Sequence, residues 1–453
     1  MLHATELLSN FAADLRYEDL PEEVVRTTKR FVIDYYAACL AGIKVNAFFN
    51  HAIEALLLDM GGKEEADTLL GAQRLPVLNA AFLNAVYAHG ADMDDGNRKA
   101  MGHVGAHVIS AVLTLAQILP VDGKDILTAI NVGYEVYNRL AAAVQPGLVH
   151  RGFHSTGTAG SIACAAACAK LLGLGREGIY NSMALGAVQA SGLILIAESG
   201  QCCKPLNPAN AARTGILSAR LAESGVNNFL YPLESRKGWF HAMSDEVDES
   251  MITDGLGKQF TVCDSYMKPY PSCRHTHCGL DAVLELRKSL RADEGIKSVK
   301  VYIYPNAIQI AGQILRPQTV DDCKFSIHYA LATALAKGHF DLSDLNASSL
   351  DAQVDELISR IELIADPSME DRAAGIRGAR VAIETEDGRL LEKRVLIPKG
   401  DGANPLSEDE LRAKLRACAE GLLDAGQQKL LIEGISSLEQ LDRLTGINMF
   451  YRR

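Results

Sequence analysis

Cysteine occurs ten times in these 453 residues, yet no two of them stand as a C-x-x-C pair. That absence argues against an iron–sulfur cluster, which needs three or four thiolates at cluster spacing. It also argues against a zinc ribbon or finger, which needs one ligand pair followed by another. An excess of positive charge is lacking too: 45 Lys and Arg face 56 Asp and Glu, for a net charge of -11 and a pI near 5.6. Such a balance excludes a general binder of nucleic acid or anionic membranes, and an anionic substrate would need a local cationic pocket set against the global field. Long apolar runs are missing as well. The longest uncharged stretch, 178–197, is broken by Asn181, Ser182, Gln189 and Ser191, so it reads as a buried core helix rather than a membrane span. The first residues, MLHATELLSNFAADLRYEDLPEE, show no basic flank leading into an apolar core. No secretory signal is expected, the location expected is cytoplasmic, and the thiols read as reduced and mostly packed.

What remains is an ordinary globular composition, 48% hydrophobic and 22% charged, in a chain longer than one core usually organises. Up to about residue 250 the apolar period is helical. Val24, Val25, Thr28, Phe31, Val32, Tyr35, Tyr36, Cys39 and Leu40 fall on one face, behind a first turn of Pro21, Glu22 and Glu23. Further helices are predicted over 76–90, 104–118, 122–144, 156–173, 177–196, 207–224 and 236–246. Near residue 260 the texture changes: SVKVYIYP at 298–305 and RVAIETEDGRLLEKRVLIP at 380–398 alternate like strands, and Asp387-Gly388 signals a type I′ hairpin. Helices are predicted beside them at 275–290, 320–337 and 349–359, and Ser407 to Glu410 starts a last one as a capping box. The fold expected is mainly α with an α+β second domain: a large all-helical domain, 1–262 and 405–453, interrupted by a smaller α+β domain, 263–404.

Four stretches could carry chemistry. AHGADMDDGNRKAMGHVGAH, 88–107, packs carboxylates and imidazoles into one glycine-broken segment between two helices. A metal would draw on His89, Asp92, Asp94, Asp95, His103 and His107, but no H-E-x-x-H motif supports it and carboxylates beside Gly and Asn are ordinary turn residues, so no metal is expected and acid/base or substrate contact is favoured over a solvated loop. In HRGFHSTGTAG, 150–160, His154 falls at the amino end of a helix, where it either meets an anion or merely caps. In ESGQCCKPLNPANAARTG, 198–215, Lys204 is a lone cation between apolar segments, and Arg213 could join it to grip a carboxylate. MKPYPSCRHTHCGLDA, 267–282, places Lys268 and Arg274 at the expected domain junction, and its Cys273, His275, His277 and Cys278 lack finger spacing. Tyr329, in KFSIHY at 324–329, is either a hydrogen-bond donor to a substrate or a core tyrosine.

The segments HGADMDD, RGFHSTGTAG, CKPLNPANAARTG, KPYPSCRHTH, DDCKFSIHYALATAL and PKGDGANPLSEDELRAKL, in this order, resemble the MmgE/PrpD family over nearly the whole chain. The resemblance implies a homodimer of helical domain and lid-like α+β domain, with no required cofactor, acting on small di- or tricarboxylates. It places functional residues on Asp92, His103, His154, Lys204, Lys268 and Tyr329. On that basis Asp92 and His103 form an acid/base pair, His154 and Tyr329 assist, and Lys204, Lys268, Arg213 and Arg274 bind carboxylates. The reaction expected first is dehydration of the 2-methylcitrate type. Epimerisation or decarboxylation of a related polycarboxylate, of the iminodisuccinate or cis-aconitate type, comes second, and a non-catalytic carboxylate-binding protein third. Two positions depart from the family pattern: Gly96 stands where a Thr or Ser is common, and Val104, after His103, where a Pro is common.

Overall fold

A computed structural model describes residues 3–198, 202–227, 230–291, 294–347, 350–371 and 374–452. The expected domain ends at residues 1 and 453, and the expected helix start at 349, lie outside the described residues. Helices dominate the first half: α1 (Ala4–Asp14), α2 (Glu22–Val45), α3 (Ala47–Met60), α4 (Val77–His89), α5 (Gly105–Ala116), α6 (Gly123–Ala143), α7 (Ser155–Leu171), α8 (Arg176–Val188) and α9 (Leu206–Glu223). Every residue named for the apolar face of α2 is buried, which is the return on its helical spacing. At Gly42 a Cβ would sit 1.9 Å from the Tyr87 carbonyl oxygen. Only glycine lets α2 run this close to the last turn of α4, and that contact fixes where the loop after α4 begins.

The α+β part holds a four-stranded sheet of β3 (Ile296–Ile303), β4 (Ile361–Ala365), β5 (Ala379–Thr385) and β6 (Leu390–Val395), in the order β6-β5-β3-β4. Only β3 and β4 pair in parallel, and the crossover between them carries α11 (Val320–Lys324), α12 (Ile327–Lys337) and α13 (Ala352–Arg360). Helix α10 (His277–Arg287) precedes the sheet, and α14 (Glu408–Ala419) and α15 (Ala425–Ser436) follow it. A two-residue ribbon, β1 (Gly96–Asn97) with β2 (Ser265–Tyr266), ties the 92–103 loop to the segment entering the α+β part. Buried apolar residues form two clusters. One runs from Ala4 to Met267 and resumes from Leu406 to Tyr451, and the other spans Cys278 to Ile383. The fold is thus mainly helical with a smaller α+β portion, the class read from the sequence.

Three local expectations are corrected. The helix over 177–196 stops at Val188, because the segment after it is recruited elsewhere: the Gly192 carbonyl accepts from the His154 N–H at 2.9 Å and Leu193 bridges Phe153. The helix over 320–337 is two, because the Ser326 hydroxyl accepts from the Tyr329 N–H at 3.0 Å and caps a new start. The hairpin turn is a three-residue loop, Glu386–Gly388, in which Gly388 alone takes a positive φ of 86° and Thr385 pairs with Arg389. That is the bulged type of connection rather than a two-residue type I′ turn.

Candidate active site

The loop after α4 is buried rather than wet. Asp92, Asp94 and Asp95 are each no more than 3% exposed, and His89 and His103 are buried beside them. Asp92 takes φ of 52°, a left-handed conformation uncommon for a residue with a Cβ. Two lysines from far downstream meet it. Lys204 Nζ lies 2.5 Å from Oδ1, while Lys268 Nζ lies 3.3 Å from Oδ2 and donates to the Asp92 carbonyl at 2.8 Å. Burial pushes this carboxyl up, but Lys204 and then Lys268 overrule it and hold it well below the usual carboxylate range. The lysines respond unequally. Lys204 stays above its ordinary value because Asp92 and Asp94 outweigh its burial, whereas burial wins at Lys268.

His103 Nδ1 faces acceptors only, the Asp95 carbonyl at 3.0 Å and Asp94 Oδ2 at 3.2 Å, so this nitrogen carries the proton. Its Nε2 is left with a lone pair, 3.7 Å from Asp92 Oδ1. Burial lowers the His103 pKa, against the pull of Asp94, so the ring is neutral at pH 7. Asp94 also accepts from His89 Nδ1 at 2.8 Å, and the two imidazoles stand edge to face with centroids 4.6 Å apart. His154 has the opposite tautomer: its Nδ1 accepts from the Asn207 amide at 2.9 Å, which leaves Nε2–H as a donor. Its side chain does not cap α7; only its carbonyl does, receiving the Gly157 and Thr158 N–H groups. Burial, then Lys204, keeps its pKa well below that of a free imidazole.

Of the sequence-predicted residues, the structure therefore gathers Asp92, His103, Lys204 and Lys268 directly, and sets His154 within the electrostatic reach of Lys204. Three others lie elsewhere. Arg213 points out from α9, over the Phe82 ring and bonded to Asn210, because the helix phase carries it away from Lys204. Arg274 is held by the Lys399 carbonyl at 3.1 Å and by buried Asp401 at 3.6 Å, with its guanidinium stacked on Tyr266. Tyr329 donates its hydroxyl to the Asp344 carbonyl at 2.5 Å inside the second core, so the core reading is the one it fulfils. The zinc-like quartet is also dispersed among other partners: His275 bonds to the Tyr304 hydroxyl, His277 to the Ser272 carbonyl, and Cys278 to the Arg377 carbonyl.

Asp94 orients both imidazoles. Asp95 ends a helix, accepting from the Gly105 N–H at 2.7 Å and from the Tyr134 hydroxyl at 2.6 Å. Gly96 has a steric reason. A Cβ there would lie 2.5 Å from the Tyr266 hydroxyl oxygen and 2.6 Å from the Gly102 carbonyl oxygen, so this close ribbon admits no side chain. Ligand-type atoms of His89, Asp92, Asp94 and His103 lie within 4.8 Å of one another. As a metal site the set fits poorly, since two ammonium groups hold the Asp92 carboxylate and both imidazole N–H groups hold Asp94. A dication would have to displace or outbid them.

The arrangement offers an imidazole lone pair, a fixed carboxylate and two ammonium groups in one buried space. Such a set can move a proton at a carbon next to a carboxylate and meet the negative charge that develops there. Comparison with known proteins gives the family. Residues 6–251 match the MmgE/PrpD N-terminal domain and residues 270–440 the MmgE/PrpD C-terminal domain. Cis-aconitate decarboxylase of Homo sapiens is 29% identical over 455 residues, covering 97% of this chain and 92% of that protein. The cis-aconitate decarboxylase-like protein oryM of Aspergillus oryzae is 26% identical over 468 residues, covering 96% and 95%. Cis-aconitate decarboxylase of Aspergillus terreus is 24% identical over 466 residues, covering 97% and 94%. These relatives are lyases, the enzyme class expected from the sequence, and the chain belongs to the MmgE/PrpD family.

Proposed function

We propose that the protein is a cofactor-independent decarboxylase of a small unsaturated tricarboxylate of the cis-aconitate type. The observation that carries this reading is the pairing of Lys204 and Lys268 on one carboxylate, with His103 Nε2 3.7 Å away. Lys204 and Lys268 are balanced by Asp92 and Asp94, so the site is neutral inside a chain of net charge -11 and offers an anionic substrate two ammonium groups without a local excess of negative charge. When CO2 leaves a CH2–COO⁻ arm, its bonding pair becomes a new terminal C=C bond. The old double bond shifts its electrons to the carbon bearing the next carboxylate. Lys204 and Lys268 would stabilise that charge, and a protonated His103 would deliver the proton that quenches it. A bound trianion raises the pKa of a nearby imidazole, so substrate itself would convert neutral His103 to the acid form. His154 Nε2–H and Asp92 would hold the remaining carboxylates and the His103 ring in place. The full-length similarity to cis-aconitate decarboxylases favours this branch over dehydration. Tyr329, which could otherwise protonate a leaving hydroxyl, has its hydroxyl committed to the Asp344 carbonyl.

The test incubates the protein in D2O with cis-aconitate, 2-methylcitrate, citrate and iminodisuccinate. CO2 release from cis-aconitate, with one deuterium in the product, is expected. Alkene absorbance from 2-methylcitrate without CO2 would replace decarboxylation by dehydration, deuterium uptake without mass loss by epimerisation, and silence on all four would remove the substrate class. His103→Ala should lower turnover at least about 1,000-fold while a tricarboxylate still binds. We also read the protein as a cytoplasmic homodimer. No disulfide forms among the described residues, which suits a reducing compartment. Helix α3 exposes Phe48, Leu56 and Met60, an apolar face that a second copy would cover. Sedimentation of a Phe48→Glu variant as a monomer, against a dimeric parent, is the expected outcome.

A further inference from the structure

Three lysines donate to three backbone carbonyls within four residues of the Asp92 loop. Lys324 Nζ reaches the Gly90 carbonyl at 3.0 Å, Lys268 the Asp92 carbonyl at 2.8 Å, and Lys414 the Met93 carbonyl at 2.8 Å. All three are buried. Gly90 is the C-cap of α4, where a helix leaves a carbonyl without an intrahelical donor, and the Asp92 and Met93 carbonyls follow in a buried loop where each needs a partner. Lys268 also touches the Asp92 carboxylate; Lys324 and Lys414 touch only the backbone of the loop and their own aspartates, Asp321 and Asp34, each at 2.5 Å.

The two outer lysines come from different cores. Lys414 stands on α14, and its partner Asp34 on α2, so both belong with the helical core that already carries the loop. Lys324 ends α11, whose Cys323 is buried in the second core. Its backbone works in the same direction, because the Lys324 carbonyl accepts the Cys273 N–H at 2.8 Å. Between Cys273 and Lys268 lie Pro269 and Pro271, each with a fixed φ, so this hydrogen bond also sets where Lys268 stands. One residue of the α+β part thus grips the loop bearing Asp92 through its side chain and the segment bearing Lys268 through its backbone.

We infer that Lys324 is a positioning residue, a latch by which the α+β part holds Asp92 and Lys268 in register, and that it acts through them without touching substrate. The inference rests on the reading of Asp92 and His103 as the reacting centre, and deepens it. When Lys324 is in place, Gly90 is fixed, Asp92 keeps its left-handed backbone, and its carboxylate stays between the two ammonium groups. Without it, the Gly90 carbonyl is a buried acceptor with no partner, and the loop relaxes to find one.

The test compares the full-length protein with Lys324→Met, which keeps the chain length and removes the donor, and with Lys324→Arg, which restores one. Amide hydrogen exchange is followed by mass spectrometry over residues 86–104, with α6 and α7 as internal references. Kcat, KM and the pH profile of kcat/KM are measured with whichever polycarboxylate the parent turns over. In Lys324→Met the 86–104 exchange should accelerate on the order of tenfold with α6 and α7 unchanged. Kcat should fall about 10- to 100-fold with KM within about threefold, since a small misplacement costs rate more than binding. The limb of the profile due to His103 should move, and Lys324→Arg should recover part of each change. Parent-like exchange in 86–104, or faster exchange with unchanged kcat, overturns the latch. If Lys324→Met does not fold, Asp321→Asn, which frees the ammonium without removing it, gives the same readouts at smaller amplitude. A parent inactive on every polycarboxylate defeats the proposed function, while exchange still decides whether Lys324 holds the loop.

Discussion

Asp92 and Asp95 stand three residues apart on one loop, both at most 3% exposed, and the fold sends their carboxyl groups in opposite directions. Burial pushes each one up. At Asp92 two ammonium groups reverse the shift; at Asp95 the Tyr134 hydroxyl opposes it, the neighbouring Asp94 and Asp34 reinforce it, and the pKa is pushed up to about 8. One is a fixed anion in the candidate site, and the other is a neutral acid at pH 7 that caps α5. Burial is common to both, so the partners decide the role.

Removing the charge at Asp92 should break this contrast with the largest effect. Asp92→Asn leaves Lys204 and Lys268 facing each other across a neutral amide, and turnover should fall at least about 100-fold with loss of the group that orients both lysines. Stability should also fall, by about 3 kcal/mol, because breaking a buried ion pair strands the remaining charge. Denaturant unfolding and steady-state rates check the two parts separately. A variant with parent turnover would show that the lysines need no carboxylate between them, and Asp92 would lose its place in the site.

Much of this was legible in the sequence, and the reasons differ by residue. The apolar face of α2 could be read because burial repeats with the helical period. Lys204 could be read because a lone lysine between apolar segments needs a buried counter-charge, and Lys268 because it is a cation at the expected domain junction. Arg213 misled because it shares a helix with site-facing residues, and only the helix phase shows that it points outward over Phe82. Lys324 and Lys414 were passed over because a lysine in or after a helix resembles a solvated one, while their carbonyl partners are remote in sequence. Gly96 was unexplained for a similar reason, since its neighbour Tyr266 enters through the β1–β2 ribbon. Its stability test is intermediate in size. Gly96→Ala should cost about 1–3 kcal/mol in unfolding free energy through overpacking. Tyr266→Phe in the same chain should return only part of this, because the Gly102 carbonyl stays in the way. A Gly96→Ala protein as stable as its parent would mean the ribbon can open, and the steric reason for glycine would fall.

The smallest effect on turnover is expected at Asp95, where the informative quantity is the dependence of stability on pH. Asp95 titrates at about 8 in the fold, and near 3.9 in an unfolded chain. Its neutral form therefore favours the fold, and the stability it contributes is full below about pH 4 and lost as pH rises through 8. Asn imitates the neutral acid at every pH. Asp95→Asn should thus gain on its parent between pH 5 and pH 8.5 in Tm, while turnover at pH 7 stays within about fivefold, since one exchanged hydrogen bond is worth about 1 kcal/mol. Asp92 has the opposite sign: its contribution is full above about pH 4 and is lost only in acid, so the deficit of Asp92→Asn should stay level across the same range. If both variants ran parallel to the parent from pH 5 to 8.5, Asp95 would be charged at neutral pH like Asp92. The Tyr134 and Gly105 hydrogen bonds would then have to outweigh burial, and the two carboxylates would differ in partners but not in charge.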